Sequence, residues 1–84
     1  MGHSVDEEID MLKSEIKRLS TGENAKGQVT VPYGVLFKDD QCQQYFEAIL
    51  GTLKAAKKRK IVFFEGELLL QGVHDKVEIA LLQE

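Results

Sequence analysis

The chain is poor in the residues that carry most protein chemistry. Its 84 residues include one cysteine, two histidines, one proline and no tryptophan. The single cysteine, Cys42, cannot form an intramolecular disulfide, which is typical of a reducing compartment. A zinc site needs about four ligands at recognisable spacing, and His3 and His74 lie far from each other and from Cys42 in the sequence. We therefore expect neither a disulfide nor a bound metal.

Long apolar runs are also missing. No stretch approaches the ~20 apolar residues of a membrane span, and the N-terminus is too acidic and polar for a secretory signal. Asp6 stands where a myristoylation site needs Ser or Thr. We expect a cytoplasmic protein without a membrane partner, small enough to enter the nucleus by diffusion.

No catalytic constellation is recognisable. Cys42 lies on an apolar stripe, which is typical of a buried thiol rather than a nucleophile. A helix cap and a solvated hairpin explain the acidic pairs Asp39-Asp40 and Glu65/Glu67, and there is no glycine-rich phosphate loop. For His74-Asp75, a turn in which the aspartate accepts backbone amides is favoured over a pH-sensitive contact. We expect a non-enzymatic protein without a cofactor or a small-molecule substrate.

What the sequence does contain is the composition of one ordinary folded domain, with 43% hydrophobic and 30% charged residues. The length suffices for one domain and not for two, so residues 1–84 form a single domain, with residues 1–4 expected to be disordered. The net charge of −3 makes nucleic acid an unfavoured partner unless a local basic patch attracts it. We expect a monomer.

Two long helices are predicted. Ser4 to Glu7 forms a capping box before a helix that runs to about Ser20. Its apolar stripe consists of Val5, Ile9, Leu12, Ile16 and Leu19. Asp39 or Asp40 caps a second helix that runs to about Lys58. Its stripe consists of Cys42, Phe46, Ile49, Leu53 and Ala56.

The remaining segments favour short strands. Residues 28–31 form an early strand that Pro32 ends, and residues 33–38 are either a short helix or a tight turn. Residues 61–64 form another strand. Glu65-Gly66 is either a turn or a bulge, and we favour a strand that continues through Leu70 to a loop at 71–76 and a closing strand at 77–81. The order predicts an α+β, winged-helix-like fold. Three helices pack on a small antiparallel sheet that the early strand completes.

The basic run Lys57-Lys58-Arg59-Lys60 is the most pointed electrostatic feature. It is either a patch for an acidic partner or a solvated helix end that neutralises its own carbonyls. The sequence alone leaves both interpretations open.

Four segments of the chain match a known family pattern: GVLFKDDQC, GTLKAAKKRKIV, GELLLQGVHD and VEIALL. On these segments, and over about Val5 to Leu82, the chain resembles the Costars family, which is similar to the C-terminal domain of actin-binding Rho-activating protein, or striated muscle activator of Rho signalling. Pro32 and the apolar pair Phe63-Phe64 depart from the family pattern. The resemblance implies a winged-helix-like domain that acts on the actin cytoskeleton and, through it, on cell motility.

On this basis we expect actin as the partner, with binding through a basic corner and an exposed hairpin. The expected contact residues are Lys54, Lys57, Lys58, Arg59, Lys60 and Phe64. Two alternatives stay open: a nucleic-acid-binding winged helix, and a scaffold for a non-actin protein that uses the Phe63-Phe64 wing.

Overall fold

The computed structural model describes residues 4–66 and 69–83 of the chain. These residues form an α+β domain of four helices and a four-stranded antiparallel sheet. The helices are α1 (Val5–Leu19), α2 (Tyr33–Lys38), α3 (Asp40–Tyr45) and α4 (Ile49–Lys58), and the strands are β1 (Gly22–Glu23), β2 (Val29–Pro32), β3 (Val62–Phe63) and β4 (Glu78–Leu81). The strand order is β1-β2-β4-β3, so β3 and β1 are the two edges.

Helix α1 begins and packs as its sequence predicts. The Ser4 hydroxyl accepts a hydrogen bond from the Glu7 amide at 3.1 Å and donates to the Glu7 carboxylate at 3.2 Å. Ile9, Leu12 and Ile16 are at most 2% exposed, so the middle of the stripe faces the core, whereas Val5 at its start is 47% exposed. The helix therefore supplies one wall of the domain and a capped, acidic end.

The early strand joins the two late strands in one antiparallel sheet, as predicted, and the structure shows that it does so by pairing with the closing strand at the centre of the sheet. Thr30 lies opposite Ala80, and Val31 lies opposite Ile79, in an antiparallel register. Strand β1 was not predicted, because two residues carry no alternation. It pairs with β2 through a turn in which the Asn24 side chain accepts hydrogen bonds from backbone amides.

The prediction of three helices is wrong, because the expected helix from residue 39 or 40 to 58 is two helices. Phe46 adopts an extended backbone (φ −89°, ψ 128°), and Ala48 is also non-helical (φ −147°, ψ 89°). The break keeps Phe46 5% exposed while redirecting α4 against α1, where the Thr52 hydroxyl donates to Glu8 at 3.1 Å. The apolar stripe keeps its spacing across the break, so periodicity did not reveal it.

The prediction of one strand from residue 61 through Leu70 is also wrong, because β3 ends at Phe63. After Phe64 the backbone turns at Gly66, whose φ of 80° is in the left-handed region. The Lys57 ammonium donates to the Gly66 carbonyl and holds this turn against α4. Leu69 and Leu70 lie outside the ladder, and the part of the predicted strand at residues 67–68 lies outside the described residues.

One hydrophobic core joins the helices to the sheet. Its largest fully buried side chains include Phe64, Leu12, Ile16, Leu36 and Leu53. None of the helices in the described part of the chain has the length and apolarity needed to span a bilayer.

Candidate partner-binding site at the basic corner

The five predicted cations lie together where α4 turns into β3, and we call Lys54, Lys57, Lys58, Arg59 and Lys60 the basic corner. The turn is a Schellman-type cap. The Lys60 amide donates to the Lys57 carbonyl at 3.0 Å, and the Ile61 amide donates to the Ala56 carbonyl at 2.8 Å. Lys60 occupies the left-handed position with φ 60°, the only non-glycine residue to do so in residues 4–66 and 69–83. The corner is therefore a hydrogen-bonded turn that fixes where its side chains begin.

Two of the five cations are engaged within the domain. The Lys57 ammonium donates to the Gly66 carbonyl and lies 4.4 Å from the Phe64 ring centroid and 5.6 Å from that of Phe63. The Arg59 guanidinium pairs with Asp6 at the start of α1. These two side chains tie the corner to the hairpin and to α1.

The other three cations point to solvent. Lys54, Lys58 and Lys60 are exposed, and the ion pairs found among the described residues involve other basic side chains, Arg18, Lys38 and Arg59. Three exposed ammonium groups without an ion-pair partner in the described part of the chain lie at the end of α4, and they produce a local positive field on a chain whose net charge is −3.

A groove runs along the basic corner. It encloses about 480 Å³, and its described lining consists of Lys54, Lys57, Lys58 and Phe64. The three lysines follow the i, i+3, i+4 spacing that places side chains on one face of a helix. Phe64 is 1% exposed and forms the floor.

The structure places one predicted contact residue, Phe64, in the core beneath the Lys57 side chain, where it is 1% exposed. Its neighbour Phe63 is 48% exposed, and its ring centroid lies 5.6 Å from the same Lys57 ammonium. Side chains alternate along a strand, so Val62 and Phe64 face inward and Phe63 faces outward. All four residues from Ile61 to Phe64 are apolar, so the sequence alone could not say which ring faces outward.

A larger groove lies elsewhere and does not contain the basic corner. It encloses about 570 Å³ between the break after α3 and the segment that follows β3. Phe37, Ile49 and Leu70 contribute apolar surface, and Glu47 is the charged residue of its described lining. None of the predicted contact residues lies there.

A buried polar cluster was not predicted. Glu15 is 3% exposed, and its carboxylate approaches Asp39 and Cys42 within 4.8 Å. The Arg18 guanidinium donates to Glu15 and to Asp39 at 2.6 Å each, and the Gln41 amide donates to Glu15 at 3.1 Å. Burial, and then the two nearby carboxylates, raise the pKa of Cys42 to about 12. The cluster is a hydrogen-bonded network filled by a guanidinium, with a protonated thiol that is a poor nucleophile and a poor metal ligand.

The loop at residues 71–76 has the predicted turn geometry. Asp75 accepts the Gly72 amide at 2.6 Å, which confirms the expected role of this carboxylate. His74 is half-buried, and its Nδ1 accepts the Leu70 amide at 2.9 Å. The Asp75 carbonyl also accepts the Gly34 amide at 2.9 Å, which fixes the loop to α2.

Comparisons with known proteins find similar sequences and a similar structure along nearly the whole chain. The family model described as Costars matches residues 4–82. The chain is 62% identical over 81 residues to the Costars family protein ABRACL of Coturnix coturnix and 59% identical over 81 residues to that of Homo sapiens, covering 96% of this chain and 99% of each relative. A Costars family protein of Picea sitchensis is 60% identical over 80 residues, or 95% of this chain and 83% of that protein. The solution structure of human HSPC280 protein superposes with a TM-score of 0.87 at 57% identity, covering 98% of this chain and 95% of the other.

Proposed function

This chain belongs to the Costars family, which confirms the resemblance identified from the sequence. From that membership we propose that it is a non-enzymatic regulator of the actin cytoskeleton. In this proposal it acts as a monomer in the cytoplasm and binds actin, or modulates actin assembly, through the basic corner. The name ABRACL of its relatives is consistent with actin-related regulation.

The observation that carries the proposal is that the domain itself engages only two of the five cations and leaves the other three exposed. Lys57 and Arg59 are held by the domain itself, while Lys54, Lys58 and Lys60 are exposed without ion-pair partners within residues 4–66 and 69–83. Complementary charge steers association and fixes orientation more than it adds affinity. The exposed ring of Phe63, beside the groove, supplies the apolar area that a contact also needs.

Substitutions of exposed and of engaged lysines should therefore differ in their effect on stability. Reversing Lys54 and Lys58 should weaken actin binding at a cost of only about 1 kcal/mol in stability, because neither side chain has a described intramolecular partner and only Lys58 faces the carbonyls at the end of α4. Reversing Lys57 should lower stability as well, because it removes the bond to Gly66 and the contact with the Phe64 ring.

An NMR titration of the labelled protein with actin tests the proposal, together with co-sedimentation and pyrene-actin assembly. We expect shifts at Lys54, Lys58, Lys60 and Phe63, and about tenfold weaker binding for the double variant K54E/K58E, at ~0.5–1 kcal/mol for each surface charge. The matched control is K26E/K76E, with the same change of charge at two exposed positions outside the basic corner.

Two outcomes would contradict the proposal. If actin has no effect at high micromolar concentration, alone and beside other actin regulators, direct action is excluded. If K54E/K58E and K26E/K76E bind actin equally well, the basic corner is the wrong site.

A nucleic-acid role is the first alternative. The winged-helix-like interpretation takes β3 and β4 as the wing, and it would present Gln43 and Gln44 of α3, which are exposed. Exposed Glu47 and the net charge of −3 oppose phosphate contacts. Steeply salt-dependent DNA binding at low ionic strength would favour this alternative, and its absence would remove it.

A scaffold for a non-actin protein is the second alternative. It uses the same exposed Phe63 on the edge strand β3. Recovery of another protein and no actin by the immobilised wild-type chain, together with loss of that capture in a Phe63→Ser variant, would favour it.

A further inference from the structure

The groove at the basic corner has cationic walls. Lys54 and Lys58 are one helical turn apart on α4, and Lys57 lies between them on the same face. The described lining contains no carboxylate. A ligand that enters this groove therefore meets positive charge on the α4 side and needs negative charge to match it.

The floor of the groove is apolar. Phe64 forms it, and the ring centroid of half-exposed Phe63 lies 5.6 Å from the ammonium of Lys57, which lines the groove. A cluster of phosphates would satisfy the lysines and leave both rings without an apolar partner. A ligand that combines carboxylates with one apolar side chain satisfies walls and floor together, because apolar burial against the rings adds to the ionic contacts.

The Lys57 side chain covers the floor of the groove, and we call it the latch because it must move before a ligand can reach Phe64. Its ammonium lies 4.4 Å from the Phe64 ring centroid and donates to the uncharged carbonyl of Gly66. A carboxylate is a stronger acceptor for an ammonium group than a carbonyl. An incoming carboxylate can therefore draw the Lys57 ammonium away from Gly66 and open the face of the ring to the neighbouring apolar side chain.

We propose that this groove binds a short acidic segment of a partner protein in which one apolar side chain is flanked by carboxylates. The carboxylates pair with Lys54 and Lys58 and displace the Lys57 latch, and the apolar side chain packs on Phe64. The volume of about 480 Å³ lies within the range of sites that bury a ligand of a few residues. The inference deepens the proposed function, since it gives the chemistry of the segment that the basic corner takes.

The test titrates the labelled full chain with three capped synthetic pentapeptides: Asp-Glu-Leu-Glu-Asp, its Leu→Gly form and its fully amidated form, Asn-Gln-Leu-Gln-Asn. We expect the first to shift the amides of residues 54–58 and 63–66. The glycine peptide should bind about tenfold more weakly, because it buries no side chain. The uncharged peptide should not bind.

Variants of the protein test the roles given to the wall residues, Lys54 and Lys58, and to the Lys57 latch. K54Q/K58Q should abolish peptide binding, and the matched control K26Q/K76Q should leave it unchanged. Lys57→Met keeps the stem and removes the charge, so it should reduce the difference between the acidic and the uncharged leucine peptides. Phe64→Leu keeps an apolar floor and a folded core, and should retain the preference for leucine over glycine.

Three results would overturn the inference: equal binding of the leucine and glycine peptides, shifts confined to other residues, or tighter saturation of the same amides by pyrophosphate than by the acidic peptide. Actin is measured in the same samples. If the acidic peptide shifts the groove amides but actin does not bind, this inference is supported and the proposed function is overturned. If actin binds but the peptide causes no shifts, the proposed function is supported and this inference is overturned.

Discussion

A methyl group added at Gly34 tests how tightly α2 is fixed to the loop at residues 71–76. Gly34 is buried in α2 with a backbone that any residue can adopt. A Cβ there would lie 3.0 Å from the Cβ of Asp75, 3.2 Å from its carbonyl oxygen and 3.4 Å from its Cα. Asp75 cannot yield cheaply, because its carbonyl accepts the Gly34 amide and its carboxylate accepts the Gly72 amide.

Two effects of opposite sign compete in Gly34→Ala. Alanine in place of glycine stabilises a helix by about 0.5–1 kcal/mol. Forcing an extra carbon into a packed contact costs about 1–3 kcal/mol. The steric cost is the larger, so the free energy of unfolding should fall by about 1 kcal/mol, and the Tm of a domain of this size by ~5 °C.

Gly51→Ala is the matched control. It makes the same substitution in a helix, at an exposed position where the added Cβ meets nothing nearer than the Ala48 Cβ at 4.0 Å. It should raise the Tm, since it gains the helix propensity without the clash. Urea unfolding of both variants isolates the steric term, because the propensity term is common to them. A Gly34→Ala protein as stable as Gly51→Ala would refute the claim that the Asp75 contact is rigid.

The remaining predictions follow from single contacts. Lys60→Gly should raise the free energy of unfolding in urea by ~0.5–1 kcal/mol, because a lysine at φ 60° is strained and a glycine is not. The amide of Cys42, and then Arg18, hold the pKa of Asp39 below its ordinary value. The stability that ionised Asp39 contributes is therefore fully present above its unfolded pKa of about 4, and it is lost as the pH falls through the lower folded pKa. The Asp39→Asn variant lacks this contribution, so its Tm should fall less than that of the wild type over the same acid range. The buried thiol of Cys42, whose pKa is raised to about 12, should react with a thiol reagent at pH ~8 only as fast as the domain opens. Phe64→Ala should cost about 3–5 kcal/mol, a large part of the stability of a domain this small, whereas Phe63→Ser, at a half-exposed position, should cost only about 1 kcal/mol in urea unfolding.

Local sequence signals predicted the elements that depend on local physics. The cap at Ser4 and the stripe of α1 are contained within a few turns of chain, so α1 could be placed within a residue of its observed ends. The break at Phe46 depends instead on packing α4 against α1, in contacts such as Thr52 with Glu8, which join residues far apart in sequence. Strand β1 exists only because its two residues pair with β2.

The candidate site, too, could be predicted only where it depends on residues close together in the sequence. That the five cations cluster was visible in the sequence, because they are consecutive or one turn apart. Which of them are engaged was not visible, because Lys57 and Arg59 are held by Gly66 and Asp6, partners that only the fold brings near. Which ring of the Phe63-Phe64 pair is exposed was also not visible, because residues 61–64 are all apolar and only the fold shows that Val62 and Phe64 face the core.

Lys60 gives a separate reason to assign binding to this corner. A Schellman cap favours glycine at the left-handed position, and here a lysine occupies it with φ 60° and a side chain that has no ion-pair partner in the described part of the chain. Strained backbone of this kind concentrates at functional sites, where the rest of the fold offsets its cost. A glycine would give the same turn with less strain but without the third free charge. If Lys60 contributes to binding, Lys60→Gly must make the domain more stable and its complex weaker. A lysine that served only to end the helix would change stability and leave affinity unaltered.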